Sequence, residues 1–176
     1  MHMQEDEMTE TGSVEASSTP AGVMIGGVDI RDVAGCTCLK LRRAARMATQ
    51  MFDGRLAPSG LTIGQFGVLA QVYGASLSRP PLTMRELSSA IGMDPTTLNR
   101  TLKPLEAGGF IATAPDPNDR RARCVQLTSA GRDRLAQAMP LWRGAGAEVR
   151  RTVGDETFLA LGGLLSLAGE KLRKPE

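Results

Sequence analysis

The sequence predicts a mainly α-helical protein with a small β-hairpin, and three observations support this class. Aromatic residues make up only 3% of the 176 residues, so aliphatic side chains must form the core, which favours helices over sheets. Helix-start signals and apolar residues at helical spacing recur along the chain. Residues 110–128 differ, because two short β-prone runs there flank a cluster of turn formers.

The distribution of charge divides the chain into an arm and a body. Residues 1–30 carry six acidic and no basic side chains, so the overall charge of +2 leaves +8 for residues 31–176. Residues 1–28 are acidic, small and polar, which predicts a disordered N-terminal arm. Residues 29–176 are expected to form a single domain, and its basic charge is compatible with a nucleic-acid partner.

Composition also predicts where the protein works. No apolar run reaches the ~18 residues of a membrane-spanning helix, and the first residues lack the pattern of a secretory signal. Three cysteines in such a chain are expected to stay reduced. We therefore expect a cytoplasmic protein with no membrane partner.

Two short helices with a tight connection are predicted between residues 83 and 107. Thr83 and Glu86 form a capping-box pattern at the start of the first helix, and Gly92 ends it. Asp94 and Pro95 then open a second helix as its N-cap and first residue. Helices joined in this way form a helix-turn-helix.

The second of these helices has one apolar and one polar side. Leu98, Leu102 and Leu105 form a stripe at helical spacing. The other positions carry side chains that bond base edges and phosphates, namely Thr96, Thr97, Asn99, Arg100 and Lys103. A solvated polar face has the same appearance, so this helix alone leaves both interpretations open.

The residues that follow favour DNA binding. Phe110–Thr113 and Cys124–Thr128 read as the strands of a hairpin whose turn carries a cluster of cations, which is the composition of a wing that contacts phosphates and a minor groove. The arginines are Arg120, Arg121 and Arg123. Asp119 is expected to orient an arginine, or to be an ordinary turn residue. The fold is therefore predicted to be a winged helix-turn-helix with a helical dimerisation region.

These motifs together resemble a known family. The run from Asp116 to Arg121, followed by the run from Val125 to Gly131, is similar to the wing signature of the MarR family of regulators. Residues 82–87 and 97–102, with residues 105–106 and 108–109, resemble its helix-turn-helix, and the likeness covers roughly residues 36–172. The resemblance implies a sequence-specific transcriptional regulator of a palindromic double-stranded operator, in the form of a repressor released by an effector.

The flanking helices indicate a homodimer. Residues 62–128 are expected to form the winged-helix part, whereas residues 29–57 and 129–174 form dimerisation helices. The first of these helices is predicted to close at Asp53–Gly54. The next is predicted to start at a capping box of Thr62 and Gln65 and to bury a face with Phe66 and Tyr73. The last helix carries more leucines than one packing partner needs, and so large an apolar surface is unfavourable in a monomer. Two copies would place two recognition helices about one DNA turn apart.

Effector recognition has two candidate sites. The resemblance implies a pocket for a small ligand of the aromatic-acid type, with possible lining residues Arg42, Arg46, Gln65, Tyr73 and Trp142, although each also fits an ordinary surface or core role. Cys36 and Cys38 form a Cys-x-Cys pair near a helix N-terminus, where thiols are activated. The pair could sense oxidants, as in some relatives, bind a soft metal, or simply pack as small apolar residues. Cys124 is expected to be structural.

The sequence gives no indication of an enzyme or of a cofactor. The single histidine is His2, and no Ser-His-Asp set, zinc-ligand cluster or phosphate-binding glycine loop is present. No catalytic residue and no firm metal site are therefore expected. Two rival functions remain open from the residues: a metal-responsive regulator using Cys36 and Cys38, and a winged-helix protein-interaction module without DNA binding.

Overall fold

The structure is a computed structural model that describes residues 24–77, 81–116, 119 and 121–172. The chain divides into two units, residues 1–42 and 43–176. Helices account for most of the described residues, and five short strands complete the secondary structure of this part. Within these ranges, no helix combines the length and the apolar character needed to cross a membrane.

The described part of the first unit begins with a small hairpin. β1 (Met24–Ile25) pairs antiparallel with β2 (Val28–Asp29). The Gly26–Gly27 pair forms the turn with φ angles of 59° and 81°, which glycine adopts without strain. The sequence predicted a disordered arm over residues 1–28. Residues 1–23 lie outside the described part of the chain, and the remainder of that arm belongs to this hairpin.

Helix α1 (Thr37–Leu56) follows a 3₁₀ helix (Ile30–Gly35) and runs across the boundary between the units. The sequence predicted that this helix closes at Asp53, but it continues to Leu56, whose side chain is fully buried. Asp53 takes a different role, because its Oδ1 accepts a hydrogen bond of 2.6 Å from the backbone N–H of Ile63. Burial of one side chain and the capping of the next helix thus override the local stop signal.

Helix α2 (Ile63–Ser76) begins with the predicted capping box. The Thr62 hydroxyl accepts from the backbone of Gln65, and the Gln65 side chain accepts from the backbone N–H of Thr62. Phe66 is buried as expected, whereas Tyr73, which was predicted on the same buried face, is 40% exposed. Val72 and Ala75 on either side of it are buried, so Tyr73 lies off the buried side of α2.

The two central helices form the predicted helix-turn-helix. α3 (Met84–Ile91) starts at the capping box of Thr83 and ends at Gly92, whose φ of 73° is left-handed. α4 (Pro95–Ala107) starts at the N-cap Asp94. The local signals were sufficient here because each cap satisfies backbone groups that the helix itself leaves unpaired.

A three-stranded antiparallel sheet completes the winged-helix part. Its strands are β3 (Leu82–Thr83), β4 (Ile111–Pro115) and β5 (Arg123–Leu127), in the spatial order β3-β5-β4. Val125 of β5 lies opposite Thr113 of β4. The hairpin of β4 and β5 is therefore held at its base by the sheet, with its turn directed away from it.

The core of the second unit is aliphatic and lies where α2, α3, α4 and the sheet meet. This agrees with the low aromatic content, since branched and unbranched aliphatic side chains fill such helical interfaces well. The largest fully buried side chains are those of Leu56, Val68, Leu69, Leu82, Leu87, Leu98, Leu105 and Val125.

The C-terminal helices expose a wide apolar surface. α5 (Ser129–Val153) starts at the N-cap Thr128, and α6 (Asp155–Leu172) has no buried residue. Exposure of the α6 leucines ranges from 41% for Leu161 to 78% for Leu172. Apolar surface of this extent is unfavourable in water, and the leucine side of α6 is left uncovered by the described residues.

Candidate nucleic-acid interface

Helix α4 separates its apolar and polar residues as predicted. Leu98, Leu102 and Leu105 are buried against the core. The opposite side is exposed and carries hydrogen-bond donors and cations, namely Thr96, Thr97, Asn99, Arg100 and Lys103. The leucines thus fix the helix on the domain, and the polar side chains remain available to a ligand outside it.

The N-terminus of α4 is tied by Asp94. Its Oδ2 accepts from the Thr97 hydroxyl at 2.5 Å and its Oδ1 accepts from the Thr97 backbone N–H at 3.0 Å. These two hydrogen bonds hold the pKa of Asp94 below its ordinary value. The Thr97 hydroxyl therefore donates within the helix cap, and only its lone pairs remain for an outside donor.

The wing is the hairpin of β4 and β5. Its turn is closed by hydrogen bonds between the backbones of Asp116 and Ala122 (3.0 Å) and of Ala122 and Asp119 (2.9 Å). Asp119 Oδ1 also accepts from the backbone N–H of Arg121 at 2.9 Å. Asp119 therefore fixes Arg121 through the main chain, whereas the sequence suggested a bond to an arginine side chain. Arg120 lies outside the described residues.

Helices α3 and α4 and the wing enclose a concavity of about 1040 Å³, which we call the α4–wing surface. It brings together predicted residues from the helix and the hairpin, since Asn99 and Lys103 line it beside Asp119, Arg121 and Arg123. Its cations are Arg85, Lys103, Arg121 and Arg123, and its acidic residues are Glu106, Asp116 and Asp119. A concave surface with exposed cations on two separate elements can hold a polyanion on both sides.

Some residues of this surface were missed by the sequence analysis, and some predicted ones lie beyond it. Arg85 and Thr113 line it but were not singled out. Arg85 is a cation in the first turn of α3. That position in the helix-turn-helix could have indicated that it lies on this surface. Thr96, Thr97 and Arg100 are exposed on α4 outside the concavity.

Comparison with known proteins identifies the family. A sequence profile of the MarR family matches residues 59–122, which contain the helix-turn-helix and most of the wing. The crystal structure of the Mycobacterium tuberculosis transcriptional regulator MosR in complex with DNA is 38% identical. The match covers 78% of this chain and 99% of that chain, with a TM-score of 0.64. The chain belongs to the MarR family of transcriptional regulators. It is a DNA-binding transcriptional regulator with the winged helix-turn-helix fold.

Other members of the MarR family share this architecture. The transcriptional repressor CouR, in a structure bound to a 23-mer DNA duplex, is 25% identical over 80% of this chain and 97% of that chain, with a TM-score of 0.67. A mutant of Escherichia coli MarR, complexed with operator DNA, is 23% identical over 80% of this chain and 99% of that chain, with a TM-score of 0.69. The latter likeness is one of fold.

The predicted effector residues of this MarR-family protein have different local surroundings. Gln65 is engaged in the α2 capping box, and Trp142 stacks on Phe66 with ring centroids 5.6 Å apart. Tyr73 lines a separate cavity of about 270 Å³ with Arg132. The two predicted arginines on α1, Arg42 and Arg46, are exposed.

The three cysteines differ in access. Cys36 and Cys38 are exposed at the start of α1, whereas Cys124 is buried in β5. Burial raises the pKa of the Cys124 thiol, and the hydrogen bond that its Sγ donates to Asp116 Oδ2 at 3.3 Å acts in the same direction. Cys124 is therefore a poor nucleophile, in agreement with its predicted structural role.

The described ranges of the chain contain no cluster of side chains that could form a metal centre. Among those residues, no group of three or more His, Cys, Asp or Glu side chains could hold a metal ion. The predicted pair of Cys36 and Cys38 supplies two thiols.

Proposed function

We propose that the protein is a repressor that binds a palindromic operator as a homodimer, with α4 in the major groove and the wing in the flanking minor groove. The observation that carries the proposal is the α4–wing surface, where exposed cations of the recognition helix and of the hairpin line one concavity. The DNA-bound structures of MosR and of the repressor CouR support it.

Each predicted contact residue has a role that follows from its chemistry. Asn99 and Arg100 read base edges, because their side chains bond adenine and guanine in pairs of hydrogen bonds. Lys103 binds phosphates. Thr96 reads or positions, and Thr97, whose hydroxyl proton goes to Asp94, can accept from a base amino group. The wing side chains, Arg120, Arg121 and Arg123, hold the minor groove and its phosphates, and Asp119 fixes the turn that presents them.

Dimerisation positions the two copies on DNA. The exposed leucines of α6 support a homodimer in which residues 29–57 and 129–174 form the dimer helices and residues 62–128 the DNA-binding part. A two-fold axis then repeats the recognition helix at a spacing of about one DNA turn. Because its partner is genomic DNA, we place the protein in the cytoplasm.

Release from DNA follows a population shift. An effector that binds better to a dimer with wrongly spaced recognition helices moves the protein off its operator. Oxidation of the exposed Cys36 and Cys38 is one such signal, supported by their access to solvent. A small ligand of the aromatic-acid type is the second signal. The exposed aromatic side chains of Tyr73 and Trp142 support it, because they are accessible to such a ligand.

The test compares Arg121→Ala with the wild type on a duplex that the wild type selects from a randomised pool. Arg121→Ala is expected to lose about 1 kcal/mol of binding free energy or more, roughly fivefold in Kd, while the dimer persists in size-exclusion chromatography. Arg143→Ala is the matched control, since Arg143 is exposed on α5 and lies outside the α4–wing surface. Equal affinity of Arg121→Ala and Arg143→Ala would contradict the proposed role of the wing.

A further inference from the structure

The recognition helix and the wing are joined by a chain of three side chains. Glu106 lies in the last turn of α4, Thr113 in the middle of β4, and Arg123 at the start of β5. The Thr113 hydroxyl donates to Glu106 Oε1 at 2.6 Å and accepts from Arg123 Nη2 at 2.5 Å. All three side chains line the α4–wing surface.

The chemistry of the three groups fixes the direction of both hydrogen bonds. A carboxylate only accepts and a guanidinium only donates, whereas a hydroxyl has one proton and two lone pairs. The hydroxyl of Thr113 therefore donates its single proton to Glu106 and accepts from Arg123 with a lone pair. Both bonds involve a charged partner, which makes them stronger than bonds between neutral groups.

The register of the hairpin explains why Thr113 is the bridge. Thr113 lies opposite Val125 and Pro115 lies opposite Arg123. Thr113 and Arg123 are therefore diagonal neighbours on one face of the hairpin, within reach of a long side chain. On the helix side, Glu106 stands near the negative end of the α4 dipole, where a carboxylate is unfavourable unless a donor compensates it.

The link between α4 and β4 is a tight turn that ends at Phe110. The backbone N–H groups of Gly108 and Phe110 bond to the last carbonyls of α4, and Gly109 has a φ of 69°, which glycine adopts without strain. Ile111 is buried and anchors the base of β4, but its neighbours toward the tip, Ala112 and Ala114, are exposed. On β5, by contrast, Val125 opposite Thr113 is fully buried, and that strand also pairs with β3. The hydrogen bonds of Thr113 therefore act on β4, the outer strand in the order β3-β5-β4.

We propose that Thr113 is a positioning residue that sets the angle between the wing and the recognition helix. The inference rests on the proposed function, in which both elements must enter grooves of the same duplex. Sequence-specific binding depends on that angle, because preorganisation lowers the cost of ordering the interface. Non-specific binding depends mainly on phosphate charge, so it does not need a fixed angle.

The experiment measures the ratio of two affinities for the wild type, Thr113→Val and Thr113→Ser. One probe is the duplex selected by the wild type, and the other is a scrambled duplex of equal length and composition, both in fluorescence anisotropy at one salt concentration. Thr113→Val has nearly the same shape but no hydroxyl, and it is expected to lose about tenfold on the selected duplex and nothing on the scrambled one. Thr113→Ser keeps a hydroxyl and is expected to restore the wild-type ratio.

Glu106→Ala tests the same hydrogen-bonded side chains from α4, without changing a strand residue. Removing a negative charge raises the affinity for any duplex, so the ratio of selected to scrambled binding is compared, and it is expected to fall as in Thr113→Val. Thermal unfolding of each variant checks the fold. A wild-type ratio in Thr113→Val, or an equal loss on both duplexes, would overturn the role of Thr113. A wild type that selects no duplex would overturn the proposed function, and this inference with it.

Discussion

Gly131 of α5 packs against the backbone of Phe110, directly before β4, and its replacement by alanine tests how the base of the wing is attached to the domain. A Cβ at position 131 would lie 2.0 Å from the carbonyl oxygen of Phe110 and 2.9 Å from its carbonyl carbon. Both are backbone atoms, so no side-chain rotation relieves the overlap. Gly131 is buried in the first turn of α5, and that turn or the start of β4 must therefore move.

The cost of the movement can be gauged from what it disturbs. The Phe110 carbonyl accepts a hydrogen bond from the backbone N–H of Thr128 at 3.1 Å. The Thr128 hydroxyl donates to the neighbouring Gly109 carbonyl at 2.7 Å, with the Phe110 carbonyl oxygen further away at 3.2 Å. The same hydroxyl caps α5 by accepting from Gly131 N at 3.0 Å. Overpacking against backbone costs about 1–3 kcal/mol and a weakened hydrogen bond about 1 kcal/mol. We expect Gly131→Ala to lower the free energy of unfolding by about 3 kcal/mol.

The assay is chemical denaturation of Gly131→Ala and of a matched glycine variant at one protomer concentration, because the stability of a dimer depends on concentration. Gly74→Ala is the control: Gly74 lies in α2 with nothing within 4 Å of an added Cβ. A helical alanine there is expected to stabilise by about 0.5–1 kcal/mol. A Gly131→Ala variant as stable as Gly74→Ala would refute the close approach of α5 to the wing.

Two further outcomes are expected in solution. Iodoacetamide at neutral pH should modify Cys36 and Cys38 before Cys124, as read by intact mass. The Cys36→Ser, Cys38→Ser double variant should stay on DNA when peroxide is added. Release of that variant by peroxide would exclude the thiol signal. Because the folded-state pKa of Asp94 lies below its ordinary 3.8, its cap contributes stability above that pH and loses it as the pH falls through the folded pKa. The difference in free energy of unfolding between the wild type and Asp94→Ala should therefore become smaller in acid. A difference that does not depend on pH would contradict a charged Asp94 that accepts from Thr97.

The helix-turn-helix could be predicted because its signals are local. The caps of α3 and α4 satisfy backbone groups within three residues, and the stripe of Leu98, Leu102 and Leu105 follows from helical periodicity alone. The wing was predicted from turn formers between two β-prone runs. In each case neighbouring residues in sequence carry the whole pattern.

The differences arise where distant parts of the chain decide. Asp53 looked like a helix end, but its carboxylate accepts from Ile63, ten residues further on, while α1 continues to Leu56. The hairpin at Met24–Asp29 is a different case, because its signal is local: a Gly26–Gly27 turn lies between two short strands. It was not predicted because these residues were assigned to the acidic arm.

Within the candidate interface, Thr113 could not be found from the sequence. Its partners Glu106 and Arg123 are seven and ten residues away, and only the register of the hairpin brings them together. A threonine in a strand is ordinarily explained by β-propensity. Its role depends on the fold, which composition and periodicity do not supply.

The account depends on a homodimer in which each copy places α4 in a major groove and its wing in the flanking minor groove. A two-fold axis relates the two copies. Footprinting on the wild-type-selected duplex tests this most directly, with dimethyl sulfate to report guanine N7 in the major groove and hydroxyl radicals to report the minor-groove side of the backbone. We expect two symmetric half-sites about one helical turn apart, each with N7 protection flanked by backbone protection. A single asymmetric footprint, or backbone protection without N7 protection, would contradict the account.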